Sequence, residues 1–281
     1  MIDLITMFSY FLFSDTIHLK VKFVMEKEKR RALGHKAMNL FQIEMFRIDQ
    51  DSELFETSPK ESPGAGTRKA KIFVNEENLL YRIRQFGEDD KIGVLNFANP
   101  FVPGGHFMDG ENAQEQWICR NSYLFPELRK FRRTYYYKNE LDPKNGYISP
   151  SLIYSRHVKV LRDEKEDRIL PDPRYVDFIS VAAPNVNLIR QKGVKFDSAT
   201  LYSDIFEKIV RVLRVFMIHE DRNLILGAFG CGIFGNDAKM VSLAFDNALK
   251  LKEFGGCFDN IYFDIIDNKP ALAAFKKEFG A

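Results

Sequence analysis

A chain of 281 residues, 45% of them hydrophobic, can bury a full core in one large domain or two small ones. Its 41 lysines and arginines nearly balance 39 aspartates and glutamates, which leaves no global basic field of the kind that non-specific nucleic-acid binding draws on. Three cysteines without a C-x-x-C pair (Cys119, Cys231, Cys257) and five histidines without metal-ligand spacing argue against a disulfide framework or a zinc site, and fit a cytoplasmic or other reducing intracellular compartment.

Leu4 to Phe13 is an apolar and aromatic run, but Asp3 precedes it, no basic stretch leads into it and Asp15 ends it well short of a membrane span. Neither a signal nor an anchor is expected there. The run either pairs as a strand with the alternating segment Ile17 to Phe23 or is an extension from an upstream start codon, with Met25 an alternative start. From Met25 to about Phe46, apolar residues at helical spacing (Ala32, Met38, Leu40, Phe41, Met45) predict an amphipathic helix interrupted by Gly34. Asp49 to Arg68 is polar and reads as a loop or lid. Residues 1–70 are therefore expected to form an N-terminal extension and residues 71–281 a single domain.

Ile72 to Val74 makes a short strand, Asn75 caps a helix carrying Leu79, Leu80, Ile83 and Phe86, Gly87 closes that helix, and a buried strand follows at Ile92 to Leu95. The next stretch, NFANPFVPGGHFMDGENAQEQWICRNS, is rich in candidate contacts. Asn96 and Asn99 sit at a strand end, where ligand-contacting residues of α/β sheets collect, and Pro103, Gly104 and Gly105 form a turn that admits close approach. For the two asparagines, local turn hydrogen bonding and ligand contact both remain open. Asn112 to Glu115 has the spacing of a capping box that opens a helix through Trp117, Ile118 and Tyr123, so Glu115 is either a cap or a functional carboxylate.

FRRTYYYKNELDPKNGY reads as a surface helix with tyrosines packed beneath it rather than a nucleic-acid patch. Tyr147 to Val160 is a strand region, RDEKEDR a solvated turn, Val176 to Ala183 a buried strand ending in APN, and Leu201 to Phe216 a helix with one apolar face (Leu201, Ile205, Phe206, Ile209, Leu213, Phe216). Then comes LILGAFGCGIFGND: a buried strand, four glycines (Gly227, Gly230, Gly232, Gly235) within nine positions, and Asn236 or Asp237 to cap the next helix. Such a loop is a phosphate cradle in outline, because glycine backbone approaches an anion closely and a helix N-terminus favours it. A helix to Phe254 ended by Gly255 and Gly256, a strand at Ile261 to Ile266 and a closing helix from about Pro270 complete an α/β chain with a mixed or largely parallel sheet.

GCGIFG satisfies the dinucleotide fingerprint G-x-G-x-x-G, but that turn belongs after the first strand of its fold, and here too few βα units follow it. Four pieces in order, NFANPFVPGG-H, the QEQ segment seven residues past that histidine, LRDEKEDRILPDPRYVDFISVAAPN and LILGAFGCGIFGND, instead resemble the microbial-type poly(ADP-ribose) glycohydrolase family, which has a macrodomain fold. The match covers roughly Ile92 to Ile266. It implies a macrodomain-like mixed sheet flanked by helices. It also implies an ADP-ribose pocket wrapped by Gly227, Phe229, Gly230, Cys231, Gly232, Ile233, Phe234, Gly235 and Asn236, with Asn96, Asn99, Gly104, Gly105 and His106 facing the distal ribose.

Family members carry three glycines and then Gln-Glu-Glu, whose second glutamate is the catalytic acid; here His106 replaces the third glycine and Gln116 the acid. An amide cannot donate and retrieve a proton as a carboxylic acid does, which argues against ordinary polymer hydrolysis. Asp109, Glu111 and Glu115 remain as carboxylates close in sequence to the expected distal ribose, either to orient ADP-ribosyl-arginine and activate water or, for Asp109 and Glu111, as solvated loop charges and, for Glu115, as a cap. The resemblance therefore implies an ADP-ribosyl hydrolase favouring side-chain-linked mono-ADP-ribose over polymer, with a non-catalytic reader or a poly(ADP-ribose) glycohydrolase as alternatives. The expected partner is ADP-ribose or an ADP-ribosylated protein; no cofactor, metal, nucleic acid or membrane is implied.

Overall fold

The computed structural model describes residues 26–163, 168–195 and 197–280. In chain order these form helix α1 (26–44), strands β1 (Asp51–Phe55) and β2 (Lys71–Asn75), α2 (Leu79–Arg84) and β3 (Ile92–Phe97). The helices α3 (Gln114–Asn121), α4 (Leu124–Lys130) and α5 (Tyr137–Leu141) lead to β4 (Leu152–Val160) and β5 (Arg174–Val181). The last third holds α6 (Val186–Gln191), α7 (Ser198–Ile218), β6 (Asn223–Leu226), α8 (Ala238–Leu249), β7 (Asn260–Asp264) and α9 (Lys269–Phe279).

The strands form one seven-stranded mixed sheet in the order β1-β4-β5-β3-β6-β7-β2. β1 and β4, and β4 and β5, pair antiparallel, while every neighbour from β5 across to β2 is parallel. The central strands are apolar on both faces because helices cover both. Leu95, Ile179, Leu224 and Leu226 point into a core with α7, α8 and α9; their neighbours Val94, Phe178 and Ile225 point into a second core with α1, α3 and α4. Among the described residues no helix is long and apolar enough to cross a membrane.

Several local expectations are corrected. The helix over 26–44 passes through Gly34 without a break, because a side chain there would press on the Phe107 ring, 3.2 Å from its Cδ2. Glycine serves a close approach of helix to loop at that position. Asp49 to Arg68 contains β1, an edge strand recruited by β4 and half exposed, so its sequence carries little apolar signal. Asn78, not Asn75, caps α2 by accepting from the Leu80 N–H at 2.8 Å. Ser122 splits the helix after Glu115 in two, its extended backbone (φ −148°) ending α3 while its hydroxyl donates back to Ile118 O at 2.7 Å. The start of RDEKEDR is buried rather than solvated: the Arg162 guanidinium donates to Arg120 O (2.8 Å) and Leu33 O (3.2 Å), and Asp163 pairs with Arg84. Helix α6, capped by Asn185, was not anticipated, and α8 stops at Leu249, with a separate short turn at Lys252–Phe254 before Gly255 and Gly256. The Leu4–Phe13 and Ile17–Phe23 segments lie outside the described residues.

Far from the strand ends that carry the glycine loop, Asp221 is buried against Asp177, with Tyr154 donating to Asp177 Oδ2 at 2.5 Å and His219 stacked on Tyr154 at 3.8 Å. Burial first, and then the adjacent Asp177 carboxylate, push the Asp221 carboxyl well above the usual range. Its folded pKa thus exceeds its unfolded one, so its stabilising effect is complete in acid and is lost as pH rises above the unfolded value. Asp221→Asn is expected to add ~2 kcal/mol to unfolding stability near pH 8 and almost nothing near pH 4. Urea titrations at the two pH values check this, and an equal change at both contradicts it.

Candidate functional site

A cleft of about 420 Å³ opens over the C-terminal ends of the parallel strands, where α/β sheets collect ligands. Its walls come from five connections: residues 97–99 and 112–117 from the end of β3 into α3, Ala183 after β5, the glycine-rich β6–α8 loop, residues 264–268 after β7, and Glu77 and Leu79 after β2.

The glycine loop is held from behind. Asn236 Nδ2 donates to Pro184 O (2.8 Å) and Gly230 O (3.0 Å), Asn187 Nδ2 donates to Ile233 O (2.8 Å), and Asn268 Nδ2 donates to Cys231 O (3.2 Å). Asp237 caps α8 by accepting from the Lys239 and Met240 N–H groups at 2.8 and 3.0 Å. Ala228, Gly230, Gly232, Ile233 and Phe234 face the cleft, whereas Gly227, Phe229, Cys231, Gly235 and Asn236 form the layer behind. Burial pushes the Cys231 thiol up to about 12, which removes it as a nucleophile.

Gly230 has φ +72°, and a side chain there would stand 2.5 Å from Ala183 Cβ; Gly232 has neither constraint. Gly230→Ala is expected to cost ~2 kcal/mol or more of stability. Gly232→Ala is expected to melt like the wild type while lowering affinity for a diphosphate-bearing ligand ~10-fold, about 1.4 kcal/mol, because the new methyl stands on the cleft face of the loop. Thermal denaturation with calorimetric titration separates the two, and unchanged affinity in folded Gly232→Ala would mean that the loop does not approach the ligand.

On the opposite wall, Gly104, Gly105 and His106 take three successive left-handed conformations (φ +69°, +55°, +65°). Only the third carries a side chain, in a conformation that costs an L-residue about 1–2 kcal/mol. The turn brings Gly105 O to Gln116, whose Nε2 donates to it at 2.6 Å while Oε1 accepts from the Ala113 N–H at 2.7 Å. The capping box expected from Asn112 to Glu115 therefore does not form. Ala113 is the N-cap, Gln116 supplies the returning acceptor, and Asn112 Oδ1 receives Arg120 and Trp117 instead. Gln114 spans the strand end, accepting from Phe97 N–H (2.7 Å) and donating to Leu95 O (2.8 Å), which pins α3 to β3.

Freed from capping, Glu115 turns inward and is 2% exposed. Its Oε2 accepts from the Asn99 N–H at 2.8 Å and its Oε1 from Asn96 Nδ2 at 3.4 Å. Desolvation outweighs these donors and pushes this carboxyl, at the edge of the cleft, up to about 8. Asn99 lines the cleft while its Oδ1 accepts from the Phe101 and Val102 N–H groups, both at 2.9 Å; Asn96 is fully buried and binds Ser180 Oγ at 2.9 Å. Gly104 and Gly105 are buried under the turn.

The structure does not bring Asp109, Glu111 or His106 to the cleft. Asp109 is exposed and pairs with His106 Nδ1 at 3.2 Å, and Glu111 is exposed and pairs with Lys27 at 2.7 Å. The loop that carries them turns outward at Gly110 and packs on α1. Cleft residues the sequence reading missed include Glu77, Phe97, Gln114, Trp117, Ala183 and the run Asp264 to Asn268. The rule that selected Asn96, a polar residue at the end of a buried strand, applied equally to Asp264 at the end of β7. Among the described residues no lysine or arginine lines the cleft.

The sequence model described as "Microbial-type PARG, catalytic domain" matches residues 21–163. Among solved structures, the chain resembles the poly(ADP-ribose) glycohydrolase of Thermomonospora curvata at 29% identity and TM-score 0.77, covering 89% of this chain and 99% of that one. It also resembles the poly(ADP-ribose) glycohydrolase of Deinococcus radiodurans in complex with ADP-ribose, at 28% identity and TM-score 0.69, covering 82% and 94%. No curated protein matches the chain.

Proposed function

The chain belongs to the microbial-type poly(ADP-ribose) glycohydrolase catalytic-domain family, and from that premise we propose that it binds ADP-ribose in this cleft and removes it from modified side chains, arginine among them, in preference to cleaving polymer. The carrying observation is the division of labour between Glu115 and Gln116. Both ends of the Gln116 amide are spent on backbone partners, so the position where the family has its acid holds a structural clip. Glu115, one residue earlier, is a buried carboxyl group in the cleft wall that desolvation pushes up to about 8.

ADP-ribose fits the arrangement on general grounds. Among the described residues no cationic side chain lines the wall, so a diphosphate is met by the backbone N–H groups of the 228–234 loop, the N-terminus of α8 being taken up by its own Asp237 cap. That sets the distal ribose toward Asn99 and Glu115. In the reaction, Glu115 gives its proton to the leaving nitrogen of the arginine as the C1″–N bond breaks, water attacks C1″ as the oxocarbenium character develops, and the proton released by that water returns to Glu115. The products are ADP-ribose and the unmodified side chain, with the acid restored. Residues 1–70 are proposed to serve as an extension to a catalytic unit over 71–281.

Cleavage of polymer is the second reading, favoured by 29% identity over 89% of the chain to a poly(ADP-ribose) glycohydrolase. Incubation with arginine-linked, glutamate-linked and polymeric ADP-ribose, followed by mass spectrometry of released ADP-ribose, decides between them. Release from an amino-acid linkage alone supports the first reading. Release from polymer alone supports the second, and tight binding without release from any substrate makes the protein a reader.

A further inference from the structure

Residues 129–138 place five exposed cations, Arg129, Lys130, Arg132, Arg133 and Lys138, within ten positions. Lys130 is answered by Glu127 (2.5 Å) and Lys138 by Glu56 (2.5 Å), but among the described residues no carboxylate pairs with Arg132 or Arg133. The backbone beneath them is unusual: Arg132–Tyr136 is a π-helical turn in which the Tyr137 N–H reaches back to Arg132 O, a rare geometry frequent at functional sites. Its underside is anchored to the cleft wall. Tyr135 and Tyr136 are buried edge to face with centroids 4.9 Å apart, Tyr135 meets the backbone of Ala182, and Asn139 Nδ2 donates to Pro100 O at 3.2 Å. Ala183 and Asn99, the chain neighbours of those two contacts, line the cleft, Ala183 against Gly230 of the glycine loop and Asn99 against Glu115.

We propose that this basic rim docks an acidic segment of the ADP-ribosylated carrier protein. The inference rests on the reading of the cleft as a side-chain ADP-ribosyl hydrolase site, in which the carrier leaves the cleft at the Glu115 end. Charge complementarity selects the occupant. Glu56, Glu140 and Asp142, all exposed, bound the patch, so its field suits one short acidic stretch and not a groove that tracks a nucleic-acid backbone. Exposed rim charges act mainly on encounter and are screened by salt.

The test is the double variant Arg132→Glu/Arg133→Glu in the full chain. Against a labelled polyglutamate peptide at low salt, the wild type is expected to bind and the variant to lose ~10-fold in affinity, with the difference vanishing above about 0.5 M salt, where charges are screened within a few ångströms. On an ADP-ribosylated acidic protein the variant raises KM with little change in kcat, while release from ADP-ribosyl-arginine and affinity for free ADP-ribose stay at wild-type values. Absence of peptide binding by the wild type overturns the proposal, as does equal binding by the variant or preference for a single-stranded oligonucleotide of the same charge. Loss of ADP-ribose binding by the wild type itself overturns the cleft reading instead, and with it the identity of the docked segment as a carrier.

Discussion

Replacing Glu115 by glutamine is expected to lower the release of ADP-ribose by ~10²–10⁴-fold, the range for loss of a general acid, while leaving ADP-ribose affinity within about threefold of wild type. The substitution keeps the size of the side chain and its ability to accept from Asn99 N–H, removes the transferable proton, and gives up the long 3.4 Å contact in which Oε1 accepts from Asn96. The wild-type rate should also fall as pH rises through about 8, where Glu115 loses that proton, and the residual rate of the variant should lack this limb. Stability carries the same signature. The folded chain holds the Glu115 proton more tightly than the unfolded chain, so stability falls as pH rises from about 4.5 to about 8, and Glu115→Gln flattens that dependence. Rate profiles and urea titrations over this range test both statements. A variant that retains full activity would remove Glu115 from the chemistry.

Gln116→Glu is expected to create or raise polymer cleavage by tenfold or more, about 1.4 kcal/mol of transition-state stabilisation. Gly105 O lies 2.6 Å from Gln116 Nε2 and requires a donor. A glutamate in that place meets a carbonyl oxygen with one of its own, a contact that is repulsive when ionised and a hydrogen bond when protonated. The new carboxyl is therefore held in the acid form, which suits protonation of a ribose leaving oxygen. Its cost is pH-dependent stability, about 1–3 kcal/mol lower in alkaline solution where Gly105 O loses its donor. Chain-length analysis of polymer digests measures the gain. A folded variant with wild-type ADP-ribose affinity and no gain would place the block to polymer cleavage elsewhere, with His106 on the outside of the same turn the next residue to change.

The glycine loop was legible because several local rules agree there: an apolar strand, glycines at the turn and a capping aspartate at Asp237 have few other uses in that order. Helix α7 announced itself through apolar spacing, α8 and α9 through their capping and punctuating residues Asp237, Gly255, Gly256 and Pro270, and the parallel strands through short buried runs. Local reading failed where distant residues decide. β1 is a strand because β4 pairs with it, and Arg162 is buried because α1 and α3 offer carbonyls to its guanidinium. The cap of α3 moved by one residue for the same reason: Gln116 found Gly105 O, a partner eleven positions away across a turn of left-handed residues, and Glu115 was released toward the strand ends. Asp109 and Glu111 failed as site candidates because nearness in sequence to Glu115 says nothing about which side of a turn a loop takes. Lys27 and His106 draw both carboxylates outward.

The central claim is that the buried Glu115 carboxyl at the ribose end of the cleft makes this protein a hydrolase of side-chain-linked ADP-ribose. A single-turnover experiment tests it most directly: excess wild-type or Glu115→Gln protein is mixed at pH 7 with an arginine-ADP-ribosylated protein, and free ADP-ribose is followed by mass spectrometry. Complete release by the wild type, with release at least ~100-fold slower by a variant that binds ADP-ribose equally well, is the predicted result. Stoichiometric binding by the wild type with no ADP-ribose released would contradict it.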